Sequence, residues 1–90
     1  MPAADDAPAD RAARAILELL ADRDPDKTIC PSEAARVLAG DRDFRLYMEQ
    51  VREAAGDLAR MGRVEVTQKG ERVDVSEARG PVRIGLTERS

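Results

Sequence analysis

Ninety residues with 15 basic and 18 acidic side chains, no histidine and one cysteine bound what this chain can do. They make one domain that buries about 64% of its unfolded surface, enough for a modest core but too little for a roomy catalytic cavity. The single cysteine excludes an internal disulfide and, with no histidine, an ordinary zinc site; a net charge of −3 argues against avid non-specific attachment to nucleic acid.

The first residues, Met1 to Asp6, read as part of a flexible acidic tail over 1–7. The acidity is uneven: residues 1–27 hold seven acids and four bases, and residues 28–90 hold eleven of each. Pro8 suits the first position of a helix, because its missing N–H would have no partner there. Ala12, Ala13, Ile16, Leu19 and Leu20 fall on one stripe at helical spacing. The spacing predicts a helix over 8–22, closed by Asp24-Pro25.

Thr28 and Ile29 form a short extended segment. Cys30-Pro31-Ser32-Glu33 then reads as a capping box with sulfur at the N-cap and Glu33 at the third helical position. A second helix runs through Ala34, Ala35, Val37 and Leu38, and Gly40 supplies its left-handed stop. Asp41 or Asp43 caps a third helix. Its stripe is Phe44, Met48, Val51, Ala55 and Leu58, with Met48 and Leu58 expected in the core, and Gly62 ends it.

The period then changes to that of strands. Val64-Glu65-Val66-Thr67 alternates, Lys69-Gly70 signals a turn, Arg72-Val73-Asp74-Val75 alternates again, and Val82-Arg83-Ile84-Gly85-Leu86 alternates a third time after Gly80-Pro81. Residues 64–68 can pair tightly with 72–75, or with 82–86 around a long wing. The second pairing is preferred, because Val82, Ile84 and Leu86 bury more apolar surface. The expected fold is mainly α with a small β-ribbon: a winged helix-turn-helix of three helices plus a wing over 8–86, with a C-terminal tail at 87–90.

Ile29-Cys30-Pro31-Ser32-Glu33-Ala34-Ala35-Arg36, Phe44-Arg45, Met48, Val51-Arg52, Ala54-Ala55, Gly62, Thr67-Gln68-Lys69-Gly70, Val73-Asp74 and Gly80-Pro81-Val82-Arg83 together resemble a small bacterial family of unknown function. The resemblance covers about residues 28–86 and implies a winged-helix-like fold. Members carry Trp-Arg where this chain has Phe44-Arg45, and Asp-Pro where it has Asp74-Val75. The resemblance brings architecture and no activity.

No catalytic apparatus is expected. Cys30 at a helix N-terminus is the one nucleophile candidate, but the chain has no histidine to serve as its base. It reads more simply as an N-cap. No metal, cofactor or membrane contact is expected, since the acids are scattered, no glycine loop cradles phosphate, and no run reaches the roughly 18 apolar residues of a membrane span. A cytoplasmic location fits.

Duplex DNA is the first partner expected from the fold. Helix three would enter the major groove with Arg45 and Arg52 at bases or phosphates, while Lys69 and Arg72 touch the backbone from the wing. The ribbon also carries Arg63, Arg79 and Arg83. Against this, Glu49 and Glu53 beside Arg52 repel phosphate, and residues 44–72 hold six bases and five acids. The alternative is a protein-interaction or homodimer module around Leu46, the one large apolar side chain far from the core stripe.

Overall fold

A computed structural model describes residues 8–23 and 27–87. The expected acidic tail, the helix-ending pair Asp24-Pro25 and residues 88–90 lie outside the described residues. Among those described, the order is α1 (Pro8–Ala21), β1 (Thr28–Ile29), α2 (Pro31–Asp43), a 3₁₀ turn (Phe44–Tyr47), α3 (Met48–Arg60), β2 (Val64–Gln68), β3 (Glu71–Arg72) and β4 (Arg83–Leu86). The architecture is mixed: helices packed on a small antiparallel sheet of strand order β1-β4-β2-β3.

Helix α1 forms where its stripe predicts, and buries Ala12, Ala15, Ile16 and Leu20 against α3 and α2. The many alanines let the helices approach closely. Ala34, Ala35, Ala54 and Ala55 are all buried at the same junction, and no polar or charged residue is buried among the described residues.

The third helix departs from expectation. The helical run α2 is interrupted at Gly40 (φ 81°, ψ 175°), where the stop was expected, and resumes for a turn. A 3₁₀ turn then occupies 44–47, between Asp43 (φ −110°, ψ 7°) and Tyr47 (φ −108°, ψ 3°). Regular α-helix restarts only at Met48, so the helix expected from Asp41 or Asp43 is shorter at its start. The reason lies in 3₁₀ geometry, which eclipses positions i and i+3. Phe44 and Tyr47 thereby both pack on the core, while Arg45 and Leu46 between them stay exposed. Further along, Val51, Ala54, Ala55 and Leu58 are buried, whereas Met48 is half-buried.

Both strand pairings form, to different extents. Val64↔Leu86, Val66↔Ile84 and Thr67↔Arg83 make the longer ladder, as preferred, and Ile29↔Ile84 extends it to β1. Ile29, Ile84 and Val66 thus form a row across the sheet, all essentially without exposure. The tight hairpin adds Thr67↔Arg72 and Gln68↔Glu71. The second strand was expected over 72–75 and occupies only Glu71–Arg72. Beyond it the chain becomes a loop, 73–82, that turns back over α3. Val75 is buried there at 5% exposure. Gly56 of α3 permits the approach, since a β-carbon at that position would lie 3.1 Å from Val75 Cγ1.

Candidate nucleic-acid interface

Arg52 sits in the middle of α3, half-buried. Its Nη2 donates to the carbonyls of Val75 (3.2 Å) and Ala78 (2.7 Å), and its Nη1 to that of Gly80 (3.3 Å). From the opposite side, Gln68 Nε2 of β2 donates to the carbonyls of Arg79 (2.6 Å) and Pro81 (3.1 Å). Two planar side chains therefore hold the 73–82 loop by five carbonyls. Arg52 was expected to point at bases or phosphates; instead its guanidinium is committed to the protein's own backbone.

The loop's first half is an Asp74 turn. Asp74 Oδ1 accepts from the Ser76 N–H at 2.9 Å and the Ser76 hydroxyl at 2.7 Å, and its carbonyl accepts from the N–H groups of Glu77 and Ala78. The Ser76 hydroxyl above all, and then the Ser76 N–H, hold the Asp74 carboxyl below its ordinary range.

The other expected contact residues are dispersed. Arg72 pairs with Glu65 (2.8 Å) on the exposed sheet surface, a pair of little energetic weight. Arg45 is exposed on the 3₁₀ turn with its guanidinium 5.6 Å from the Phe44 ring centre, and Arg36 approaches the same ring at 4.2 Å. Leu46 is 74% exposed. Lys69 stands at the tip of the β2–β3 turn with φ 54°, beside Gly70 at φ 85°, as a two-residue type I′ turn requires.

Cys30 is the N-cap of α2 in extended conformation. Its N–H donates to Glu33 Oε2 at 3.0 Å, so the glutamate half of the box forms, and Glu33 Oε1 takes Arg23 at 2.6 Å. The sulfur accepts from Arg83 Nη1 at 2.8 Å, while Arg83 Nε and Nη2 donate to the Thr28 hydroxyl and carbonyl.

Two concave surfaces flank the loop. One, of about 410 Å³, is lined by Glu49, Arg52, Glu53, Gly56, Arg60, Val75, Ser76 and Ala78. Arg60 is paired with Asp57, and the Glu49 and Glu53 carboxylates share the cleft with the Arg52 guanidinium, whose partners are neutral carbonyls. The other is a groove of about 570 Å³ lined by Cys30, Gln68, Lys69, Arg79, Pro81, Val82 and Arg83. Three cations and no carboxylate line it. Of the four basic residues expected at an interface, only Lys69 is in this groove. Arg79 and Arg83 join it. Arg83 has a signal in the sequence, since it alternates with the buried Val82 and Ile84 and so faces outward. Arg79 has none, because the loop fold that brings it in is fixed by partners far along the chain.

Among the described residues, no group of three or more His, Cys, Asp or Glu side chains is placed to hold a metal, and no helix is long and apolar enough to cross a membrane. No curated protein matches the chain. One family model covers residues 9–87, which span the helices, the sheet, the loop and the basic groove, and the chain therefore belongs to the DUF3253 family, whose members are described as proteins of unknown function.

Proposed function

We propose that this protein is a winged-helix module, cytoplasmic and of the bacterial type that the sequence resembles, and that it binds duplex DNA along the phosphate backbone through its wing-side groove. The winged-helix reading is supported by the order helix, strand, helix, helix, hairpin and by β4 lying between β1 and β2. The observation that carries the functional reading is the convergence of Lys69, Arg79 and Arg83 on one groove without an acid in its lining. Cations gathered in a concave surface attract a polyanion despite an unfavourable net charge. The exposed part of α3 is acidic and Arg52 is engaged, so base reading by α3 is not part of the proposal. Nor is catalysis, with the Cys30 sulfur turned to Arg83.

Fluorescence anisotropy with a mixed-sequence duplex tests it. With the Arg83 guanidinium bonded to Thr28 and Cys30, phosphate contacts from Lys69 and Arg79 give a log–log salt slope near −1.8, or about a 12-fold loss of affinity between 50 and 200 mM salt. Lys69→Ala should flatten that slope by about one. No anisotropy change at roughly 100 μM protein in low salt removes the proposal, because even weak non-specific binders reach about 10⁻⁴ M.

A second reading is favoured by one observation, the 74% exposure of Leu46 on the 3₁₀ turn. Under it the domain pairs with a second copy or another protein through that turn. Leu46→Glu would then convert a dimer to a monomer in sedimentation velocity without loss of helix content. A monomeric wild type at high concentration excludes the homodimer form.

A further inference from the structure

We infer that Arg52 and Gln68 are positioning residues of the basic groove, acting through the 73–82 loop, Arg52 from the neighbouring cleft and Gln68 from the groove lining. This rests on the groove being the contact surface.

The argument starts from Arg79. Arg79 lines the groove with Lys69 and Arg83. What fixes it is its backbone. Its own carbonyl is held by Gln68 at 2.6 Å, and the carbonyls on either side, Ala78 and Gly80, are held by Arg52 at 2.7 and 3.3 Å. Successive peptide groups are thus gripped alternately from α3 and from β2, which sets the direction in which the Arg79 side chain leaves the chain. A guanidinium suits the α3 side, because its donors fan out in a rigid plane and reach several carbonyls at once. A lysine ammonium offers donors from a single point and cannot span carbonyls from Val75 to Gly80. Arg52 therefore contributes to an anion site that it does not line; it belongs to the neighbouring cleft.

The test uses Arg52→Met, Arg52→Lys and, on the other jaw, Gln68→Met, each in the full chain. The first readout needs no ligand: ¹⁵N relaxation at the Arg79 and Gly80 amides. The wild type should show order parameters near 0.85, and each variant should fall below about 0.6 at Arg79. The second readout is binding of the mixed-sequence duplex. Arg52→Met and Arg52→Lys should each weaken it about tenfold and flatten the salt slope by about one, as if Arg79 had been deleted. Combining Arg52→Met with Arg79→Ala should then cost no more than Arg79→Ala alone.

Several results overturn the inference. An Arg79 that stays ordered in the variants does so. So does a wild-type slope in Arg52→Lys, which would mean that the charge at position 52 meets phosphate directly. Additive losses in the double variant do the same. A lower melting point with unchanged slope and unchanged order would reduce Arg52 to a purely structural role. Failure of the wild type to bind duplex removes the proposed function instead, and the relaxation data alone then decide whether the clamp orders the groove. Gln68→Met keeps the question answerable if the Arg52 variants do not fold.

Discussion

Arg83 donates to the sulfur of Cys30 across 2.8 Å, joining the outward face of β4 to the N-cap of α2. Cys30 is the N-cap of α2 in extended conformation, and its thiol is an acceptor in the groove wall. Serine at position 30 keeps a small acceptor for Arg83 and is a preferred N-cap, whereas valine removes both functions. Cys30→Ser should melt like the wild type, and Cys30→Val should lose about 0.5–2 kcal/mol. Equal melting of the two variants would refute the capping role, and loss of duplex binding in the serine variant with its melt unchanged would give the thiol a role of its own.

Lys69 predicts an opposition between stability and binding. Its φ of 54° is unfavourable for a lysine by about 1–2 kcal/mol, whereas asparagine visits that region readily. Asn-Gly is also the favoured pair for a type I′ turn. Lys69→Asn should therefore stabilise the domain by about 1 kcal/mol, a rise of about 4–8 °C in melting temperature, while weakening duplex binding. Calorimetry and anisotropy on the same sample check both halves. A less stable Lys69→Asn variant would mean that the lysine is favoured by something other than its charge toward a ligand.

Much of this architecture is written in local pattern. Helix α1 and the row Ile29–Ile84–Val66 follow from apolar spacing, and the preferred ladder between β2 and β4 follows from the greater bulk of Val82, Ile84 and Leu86. The 3₁₀ turn is not legible, because Phe44, Met48, Val51, Ala55 and Leu58 keep an unbroken helical period through it. The break lies in backbone angles at Asp43 and Tyr47 that no residue type announces. Of the basic groove, Lys69 is legible from its turn and Arg83 from its alternation with Val82 and Ile84, whereas Arg79 is not. Whether an arginine is free or engaged depends on acceptors that fold against it, and those of Arg52 lie 23 to 28 residues away as loop carbonyls, which carry no side-chain signature.

Asp74 gives the loop a dependence on acid. The Ser76 hydroxyl and N–H bond the charged carboxylate and lower its pKa in the folded protein. The unfolded chain therefore binds this proton more readily than the native one. The stabilisation is complete above the ordinary aspartate range, and is lost as pH falls through the lower native value. A ¹³C titration of the Asp74 carboxyl should show a midpoint below that of a free aspartate. Ser76→Ala deletes the hydroxyl and leaves the N–H, so it should move the midpoint up without restoring it fully. A midpoint unaffected by Ser76→Ala would show that the hydroxyl does not bond the carboxylate in solution.

Leu58 and Met48 share a stripe but differ in burial, so truncation should separate them. Leu58 is 2% exposed and lies on α3 among Val51, Ala54 and Ala55. Its replacement by alanine leaves a cavity and should cost about 2–5 kcal/mol. A domain of this size is stable by about 5–13 kcal/mol, so Leu58→Ala should show a much lower melting point. Met48 opens α3 after the 3₁₀ turn and is half-buried. Part of its surface already meets water, and the first turn of a helix has room to relax around a smaller side chain. Met48→Ala should therefore cost clearly less than Leu58→Ala. Urea unfolding of the two variants under identical conditions, compared through midpoints at constant m-value, makes the measurement. Equal losses would mean that Met48 is as enclosed as Leu58 and that α3 continues upstream as regular helix. That result would also turn Arg45 and Leu46 onto the α3 surface, so the same experiment tests where the 3₁₀ turn ends.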